Sequence, residues 1–145
     1  MDNNKNKIVR TLILNAGTDK VWNALTNPVQ TKKYMFNCEV TSDWKVGSEI
    51  KWKGNYEGYE SGERGKILEI DKYKKLKYSS IDPNFGIELK PENYLHITYH
   101  LNDLNEKTKL ILTVESFNND PKRMEHIAGG WDNIVLPAIE RIFNQ

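Results

Sequence analysis

Hydrophobic and polar residues alternate along the middle of the chain, from Asn37 to Val114, with the period of two that strands with one buried face show. The clearest alternating runs are Glu49–Lys53, Arg64–Lys72, Leu76–Ile81, Leu95–Leu101 and Lys109–Val114. Ile8–Leu14, which is apolar and rich in β-branched residues, predicts one further strand near the start. Short polar segments separate consecutive runs, so the pattern predicts hairpins joined into an antiparallel meander.

Two short helices are predicted between the first strand and the meander. Thr18 is expected to cap the first of them, since a hydroxyl at that position can accept a hydrogen bond from a backbone N–H of the first turn. Asn27-Pro28 ends this helix, because proline disfavours helical geometry in the residue before it. A second short helical turn is predicted to follow, through Lys33.

The end of the chain changes to a helical period. Asp120-Pro121 suits the start of a helix, with Asp at the N-cap and Pro at the first helical position. Apolar residues then recur at spacings of three and four: Met124, Ile127, Ala128, Trp131, Val135, Ala138, Ile139 and Ile142. They form one stripe on a helix of roughly 22 residues, about 33 Å long. Only the apolar face of the sheet offers a partner of that length.

The predicted fold class is therefore α+β, with residues 1–145 forming a single domain. A curved six- to seven-stranded antiparallel sheet wraps around the long C-terminal helix, with two short helices after strand one. Gly129-Gly130 and Pro137 disturb that helix, because glycine and proline both disfavour helix interiors. Two interpretations stay open: a kinked helix that follows the curved sheet, or glycines that admit a close neighbour or leave space beside the helix.

Composition excludes several classes of protein. Hydrophobic residues make up 38% and charged residues 28% of the chain, which is typical of neither a membrane protein nor a disordered one. The net charge of +1, from 21 basic and 20 acidic residues, argues against a nucleic-acid partner. Four lysines between residues 72 and 77 are interpreted as a solvated hairpin turn. No segment approaches the ~18 apolar residues of a membrane span.

The start of the chain and its cysteine content indicate a compartment. Met1–Lys7 is polar and lacks the apolar core of a signal peptide. The single cysteine, Cys38, cannot form an internal disulfide, so a reducing, cytoplasmic setting is expected. Cys38 is interpreted as a small hydrophobic residue buried in an apolar strand, where a nucleophilic thiolate is disfavoured.

No catalytic set, metal site or cofactor is predicted. His96 and His100 have a spacing that can bind zinc on a helix, but their surroundings predict a strand. Four residues of strand span roughly 13 Å, too far for one metal with bonds of about 2 Å, so both are interpreted as surface histidines. His126 lies on the predicted helix and is expected to be partly exposed.

Aromatic residues remain as candidates for function, since the chain has 4 Trp, 7 Tyr and 4 Phe. Trp52, Tyr78, Tyr99 and Trp131 fall on predicted inner faces. They pack in the core or line a cavity, where a tyrosine hydroxyl requires a partner such as a polar ligand atom. Arg10 alternates with apolar residues on one face of strand one. If that face points inward, Arg10 is a buried cation, but the opposite face is equally apolar.

The order of elements and several local motifs resemble one known group of proteins. The motifs are Val21–Pro28, Asp43–Ser48 followed by Trp52, Gly65–Ile70 and the pair Gly130-Trp131. They are similar to those of the heat-shock-protein ATPase activator homologue family, in the START-like superfamily (also SRPBCC or Bet v 1-like), whose fold is a helix grip. The resemblance extends over about Lys7–Phe143. Tyr34 departs from it, because the family often has tryptophan there.

The resemblance implies a pocket between the sheet and the C-terminal helix. Together with the inner aromatic residues, it predicts a site for a small apolar, aromatic or lipid-like molecule, with the chain a monomer or weak homodimer. The predicted ligand-binding residues are Trp52, Tyr78, Tyr99, Leu112, Met124, Ile127, Trp131 and Val135. Two alternatives remain: a protein-interaction role of the chaperone-activator type, and a cyclase-, aromatase- or hydrolase-like enzyme. The enzyme requires a polar pair in the pocket, and the spacing of the sequence shows none.

Overall fold

The computed structural model describes residues 6–144 and has the predicted α+β architecture. Its strands are β1 (Lys7–Leu14), β2 (Glu39–Ser42), β3 (Glu49–Lys53), β4 (Asn55–Tyr56), β5 (Tyr59–Glu60), β6 (Arg64–Asp71), β7 (Lys75–Ser80), β8 (Leu95–Asp103) and β9 (Thr108–Glu115). Seven of them form one antiparallel sheet in the order β1-β9-β8-β7-β6-β3-β2, and β4 and β5 form a separate hairpin. The chain order of β6 to β9 is therefore the predicted meander.

Two short helices follow β1, as predicted, and a long helical segment ends the chain. The helices are α1 (Thr18–Thr26), α2 (Pro28–Thr31), α3 (Pro121–Gly130) and α4 (Leu136–Phe143), with a π-helical turn at Trp131–Val135 between the last two. Short 3-10 turns occupy Pro83–Phe85 and Pro91–Asn93. Within residues 6–144, no helix has both the length and the apolarity that crossing a membrane requires.

Helix starts show where local chemistry was interpreted correctly and where it was not. Asp120 caps α3, and its carboxylate accepts a hydrogen bond of 3.0 Å from the N–H of Arg123, as expected. The prediction for Thr18 is wrong: α1 already includes Thr18, its N-cap is Gly17, and no side chain caps it. Asn27 both ends α1 and caps α2 through its side-chain oxygen, which accepts from the N–H of Val29.

The core lies between the inner face of the sheet and the C-terminal helical segment. Alternation along the strands decides which side chains enter it: every second residue of β9, from Thr108 to Val114, is buried, and the residues between are partly exposed. From the helical side, buried apolar residues of α3, the π-helical turn and α4 meet that face. These contacts bury the two longest apolar surfaces of the chain against each other.

Strand β1 is an edge strand, and its inner face is the one that carries Arg10. Ile8 and Leu14 on that face are buried, whereas Val9 and Ile13 on the other are 48% and 47% exposed. Arg10 is not a buried cation, because its side chain is 40% exposed at the sheet edge. Its guanidinium forms two hydrogen bonds with Asp132, of 2.8 and 3.0 Å, and so ties β1 to the π-helical turn.

The predicted irregularity of the C-terminal helix takes the form of that π-helical turn. Gly130 and Val135 keep right-handed helical geometry, so the segment continues without a break through Pro137, which lies in the first turn of α4. A Cβ at Gly130 would be 3.4 Å from the Phe36 ring, which is an ordinary van der Waals contact, so this close neighbour does not require a glycine. Gly130 lines the cavity described below, so the part of the second interpretation in which the glycines leave space beside the helix applies. Single π-helical turns are frequent near functional sites.

Candidate functional site

A cavity of about 780 Å³ lies between the inner face of the sheet and the helical segment formed by α3 and the π-helical turn. Strands β7 and β8 supply one wall, with Ile97 and Leu95 among the apolar side chains. Helix α3 and the π-helical turn supply the opposite wall, with Ile127 and Trp131. The segment after α2 and the β4–β5 hairpin close the sides. Most of the exposed lining is apolar, which suits the body of an apolar ligand.

Four of the eight predicted ligand-binding residues line this cavity: Tyr78, Ile127, Trp131 and Val135. Tyr78 points inward from β7 because it lies on the same face as Leu76 and Ser80, and all three are buried. The other three lie one turn apart along the helical segment. The sequence therefore located the two facing walls, and the role of these side chains in binding stays a prediction.

The other four, Trp52, Tyr99, Leu112 and Met124, are buried but do not line the cavity. Tyr99 packs behind the wall, with ring centroids 6.4 Å from Tyr78 and 6.3 Å from Trp131. The centroid of the Trp52 ring lies 5.9 Å from that of Tyr78. These aromatic contacts hold the lining side chains in place, so the packing interpretation describes Trp52 and Tyr99 in this structure.

A polar pair lies in the sheet wall of the cavity, where β6 begins and β7 ends. Arg64 and Ile81 exchange two backbone hydrogen bonds of 2.9 Å, which places the neighbouring residues of the two segments side by side. Glu63 and Ser80 therefore both line the cavity, and the Ser80 hydroxyl donates a hydrogen bond to Oε2 of the Glu63 carboxylate. Ser80 is buried, and Glu63 keeps part of its surface open.

The position of Glu63 changes its acidity. Burial raises the pKa of this carboxyl from 4.5 to about 7, and the negative charge of Asp82 acts in the same direction. The hydrogen bond from Ser80 lowers the pKa but does not offset the burial. At neutral pH a large fraction of Glu63 is therefore protonated, and the group can accept or donate a proton.

Asp82 joins the β4–β5 hairpin to the segment after β7. Its carboxylate accepts hydrogen bonds from the Tyr59 hydroxyl at 2.8 Å, from the N–H of Asn84 at 3.0 Å and from the N–H of Gly62 at 3.3 Å. Burial and the hydrogen bond to Asp82 raise the pKa of Tyr59. Because Asp82 already has three donors within the protein, its role is to hold these segments together.

Aromatic rings and basic side chains surround the mouth of the cavity. The rings of Tyr59 and Phe85 stack with centroids 4.9 Å apart and planes at 13°, and His126 meets Phe85 edge-on at 6.3 Å. Phe85 is 58% exposed. Lys122 and Arg123 of α3 also line this end, and burial lowers the pKa of Arg123. The acidic side chains of Asp120 and Glu57 line the same cavity, so these basic groups have acidic neighbours, whereas Glu63 lies in the sheet wall.

Tyr78 brings an unusual polar atom to the cavity. The side chain is 1% exposed, and its hydroxyl has no hydrogen-bond partner among residues 6–144. Burial is the largest cause that raises its pKa well above 10.0, followed by the neighbouring Tyr99 and Glu63. A buried hydroxyl without a partner is unfavourable by about 1–3 kcal/mol, so the free tyrosine hydroxyl marks a position that a ligand's polar atom can occupy.

Cys38 lies at another side of the same cavity. It is buried, as predicted, but it precedes β2 by one residue, so its predicted placement within a strand is wrong. Burial is the largest influence on the thiol and raises its pKa. The thiol form is therefore favoured, which agrees with the interpretation of Cys38 as a small hydrophobic residue.

The histidines do not form a metal site within the described chain. His96 and His100 lie on β8 and are partly exposed, so their interpretation as surface residues describes them in part. His96 packs edge-on against the ring of Phe117, at 4.4 Å between centroids. His126 is exposed, at the cavity mouth. Among residues 6–144, no three His, Cys, Asp or Glu side chains come close enough to hold a metal ion.

The sequence analysis did not predict the polar pair formed by Glu63 and Ser80. Glu63 lies two residues before Gly65 and four before the buried Ile67, and Ser80 lies two residues after Tyr78. Extending the period of two by one residue before β6, and following it to the end of β7, would have placed Glu63 and Ser80 on the inner face. The pair supplies the polar groups that the enzyme hypothesis requires, contrary to what the spacing indicated.

Comparisons with known proteins agree with this architecture. A family model described as "Activator of Hsp90 ATPase homolog 1-like protein" matches residues 15–144. The solution structure of a protein from Cytophaga hutchinsonii is similar at 34% sequence identity, over 94% of this chain and 92% of that chain, with a TM-score of 0.76. No curated protein sequence gives a significant match.

Two further structures share the fold at lower identity. An HSP90 activator from Plasmodium falciparum is 20% identical over 94% of this chain and 95% of that chain, with a TM-score of 0.75. The Aha1 dimer from Colwellia psychrerythraea is 20% identical over the same shares, with a TM-score of 0.72. The family model covers most of the chain and the fold agrees throughout, so the chain belongs to the activator of Hsp90 ATPase homolog 1-like family of the START-like superfamily.

Proposed function

We propose that this protein binds a small, largely apolar molecule in the cavity between the sheet and the C-terminal helical segment. The observation that carries the proposal is the cavity itself. Its volume of about 780 Å³ lies in the range of roughly 300–1,000 Å³ that small-molecule sites occupy. A core packed to ordinary density leaves few voids larger than a water molecule, so a space of this size requires an explanation other than imperfect packing.

The distribution of side chains around the cavity supports the same proposal. Apolar residues from β8, α3 and the π-helical turn provide contact for a ligand's body, and polar atoms are confined to one wall and the mouth. Ligand sites commonly combine a large apolar surface with a few polar groups that fix orientation. Tyr78, Ile127, Trp131 and Val135 are proposed as contacts for the apolar body.

A binding experiment with a matched pair of variants tests this proposal. Ile127 and Ile134 are both partly buried and lie seven residues apart in the C-terminal helical segment, but only Ile127 lines the cavity. Ile127→Trp fills part of the cavity, and Ile134→Trp adds the same bulk elsewhere. We expect an uncharged, environment-sensitive fluorescent naphthalene probe to bind wild type and the Ile134 variant similarly, and the Ile127 variant about tenfold more weakly.

Native mass spectrometry of protein purified from cells complements this measurement. A bound small molecule that survives purification, and that is lost from the Ile127 variant alone, supports the proposal. The proposal fails if no probe from an apolar and aromatic panel binds at ~100 µM, a concentration well above the Kd of an ordinary small-molecule site, and no copurifying molecule is found. Equal binding by wild type and the Ile127 variant also contradicts it, because the probe then binds outside the cavity.

The setting and assembly of the protein are proposed on separate grounds. A reducing, cytoplasmic setting is supported by the one cysteine, Cys38, whose thiol is free and buried. The relative from Colwellia psychrerythraea is described as a dimer. For this chain we propose a monomer or a weak homodimer, which sedimentation at several protein concentrations distinguishes from a stable dimer.

A further inference from the structure

The Glu63 carboxylate lies in the cavity wall without a cation beside it. None of the ion pairs formed among residues 6–144 includes Glu63. Its one side-chain hydrogen bond comes from Ser80 to Oε2, so Oε1 has no protein donor within the described chain. A buried carboxylate is strongly unfavourable unless it is paired and hydrogen-bonded. Oε1 is open to the cavity, so a donor from outside the protein, either water or a ligand atom, can bind it.

The Tyr78 hydroxyl provides a second indication of a ligand, because Tyr78 lines the cavity, whereas Tyr99 and Trp52, which also have a buried polar atom without a partner among residues 6–144, do not. It lines the same cavity from the residue two before Ser80, on the same face of β7, and it is fully buried with no partner among residues 6–144. The negative charge of Glu63 is close enough to influence it. One wall of the cavity thus holds a carboxylate oxygen and a phenol hydroxyl that have no hydrogen-bond partner within the described chain.

The chemistry of these two groups selects a type of ligand atom. An ionised carboxylate only accepts hydrogen bonds, and its strongest partner is a positively charged N–H. A neutral hydroxyl would donate to Glu63 but would leave the negative charge uncompensated. A ligand carboxylate would place two like charges together, in addition to the charge of Asp82. A basic nitrogen both supplies the donor and compensates the charge.

We propose that the ligand of this cavity is an apolar, ring-containing molecule with one basic nitrogen, whose protonated N–H binds Oε1 of Glu63 next to the Tyr78 hydroxyl. The apolar body lies against Ile97, Ile127 and Trp131, which face the same space. The inference rests on the proposed function, because it names the class of molecule that the same cavity binds.

The opposite end of the cavity makes a competing prediction, which allows a sharp test. Lys122, Arg123 and His126 line the mouth, and a ligand recognised by them would carry an anionic group. Lys122 is exposed, so water screens its charge, and the acidic side chains of Asp120 and Glu57 line the cavity together with Lys122 and Arg123. Glu63 and Tyr78 lie in the wall, where electrostatic interactions are stronger. The structure therefore favours the cation at Glu63 over the anion at the mouth.

Three naphthalene probes with one body and different end groups separate these possibilities: the aminomethyl, hydroxymethyl and carboxylate derivatives. Binding is measured at pH 8, where Glu63 is largely ionised, by calorimetry and by quenching of tryptophan fluorescence. We expect the amine to bind wild type about tenfold more tightly than the alcohol, and the carboxylate to bind most weakly. In the Glu63→Gln variant the amine and the alcohol are expected to bind about equally.

Glu60→Gln is the matched control. Glu60 lies three residues away on β5, is exposed, and does not line the cavity, so the same change of charge there is expected to preserve the preference for the amine. Circular dichroism and the thermal midpoint confirm that each variant is folded. A preference that disappears in Glu63→Gln and persists in Glu60→Gln supports the inference.

The remaining outcomes overturn it in distinguishable ways. Equal binding of the three probes by wild type, or a preference for the amine that survives Glu63→Gln, contradicts the inference and leaves apolar ligand binding intact. Tightest binding of the carboxylate, weakened by Arg123→Gln, assigns recognition to the cavity mouth instead. If wild type binds none of the probes, the inference fails together with the proposed function.

Discussion

Replacing Glu63 with glutamine is expected to stabilise the folded protein at alkaline pH. In the folded protein the pKa of Glu63 is raised from 4.5 to about 7, mainly by burial. The folded protein therefore holds this proton over a pH range in which the unfolded chain has released it. The contribution of the group to stability is fully present below about pH 4.5 and is lost as the pH rises through 7. Glutamine is neutral throughout and keeps an oxygen that accepts from Ser80.

The size of the effect follows from the two pKa values. The interval from 4.5 to about 7 corresponds to roughly 3 kcal/mol, at about 1.4 kcal/mol per pKa unit. Glu63 keeps part of its surface open where it lines the cavity, so water there reduces this free-energy difference. We expect Glu63→Gln to raise the free energy of unfolding by about 1–2 kcal/mol at pH 8, which is on the order of 3–8 °C in Tm.

Urea unfolding of wild type and the variant, measured at several pH values from 4.5 to 8.5, checks this reasoning. The difference in unfolding free energy between the two proteins is expected to be near zero at the acid end and to grow most steeply between pH 5 and 7. Glu60→Gln, an exposed control, is expected to show no such trend. A difference that is independent of pH, or a variant less stable than wild type at pH 8, would show that Glu63 is not buried as described.

Three further comparisons test other parts of the structure. Tyr78→Phe is expected to leave the free energy of unfolding unchanged or slightly higher, because the Tyr78 hydroxyl has no partner within residues 6–144. Tyr34→Phe removes a buried hydrogen bond and is expected to lower that free energy by about 1 kcal/mol, and equal losses for the two variants in urea unfolding contradict this expectation. Gly65→Ala is expected to lower the free energy of unfolding by about 3 kcal/mol or more, because the new Cβ would lie 1.7 Å from a backbone oxygen. Gly129→Ala, at an open helical position, is expected to raise it by roughly 0.5–1 kcal/mol. Both changes are measured by calorimetry, and a Gly65→Ala variant as stable as wild type refutes the close approach. Arg10→Ala is expected to lower the free energy of unfolding by about 0.5–1 kcal/mol at low salt and by less in about 1 M salt, and a loss independent of salt argues for a packing role.

Glu63 connects the stability prediction with the proposed ligand. A carboxylate that lowers stability at neutral pH, in a cavity otherwise lined mostly by apolar side chains, has no structural benefit in the folded chain beyond its bond to Ser80. Functional sites commonly retain such unfavourable groups because binding requires them. A basic ligand that pairs with Glu63 is therefore expected to lower its pKa and to raise the Tm most at alkaline pH.

The fold was predictable from sequence because its signals are local. The period of two in β9 and the three-and-four spacing from Met124 onward each require only a few adjacent residues to detect. Asp120 could be assigned as an N-cap for the same reason. Thr18 could not, because the choice between it and Gly17 depends on how the chain leaves β1, and that geometry is set by packing.

The candidate site was predictable only in part. Inner-face residues such as Tyr78 and Trp131 follow from periodicity, but periodicity does not distinguish a side chain that lines a cavity from one that packs behind it, as Tyr99 does. Which of the two applies depends on how far the helical segment stands from each strand. That distance is a property of the whole assembled core, and the π-helical turn contributes to it.

By itself, the sequence determined an α+β chain with an antiparallel meander, a long C-terminal helix and two facing apolar walls, because each strand and helix must bury its own apolar face. Only the tertiary structure decided that the walls leave a cavity, and that Glu63 and Ser80, 17 residues apart in the chain, meet in it. The physical reason is the distance along the chain over which each feature is determined. Burial patterns are encoded within a few residues, whereas the Glu63–Ser80 pair, and the burial that raises the pKa of Glu63, require two strand ends joined by backbone hydrogen bonds.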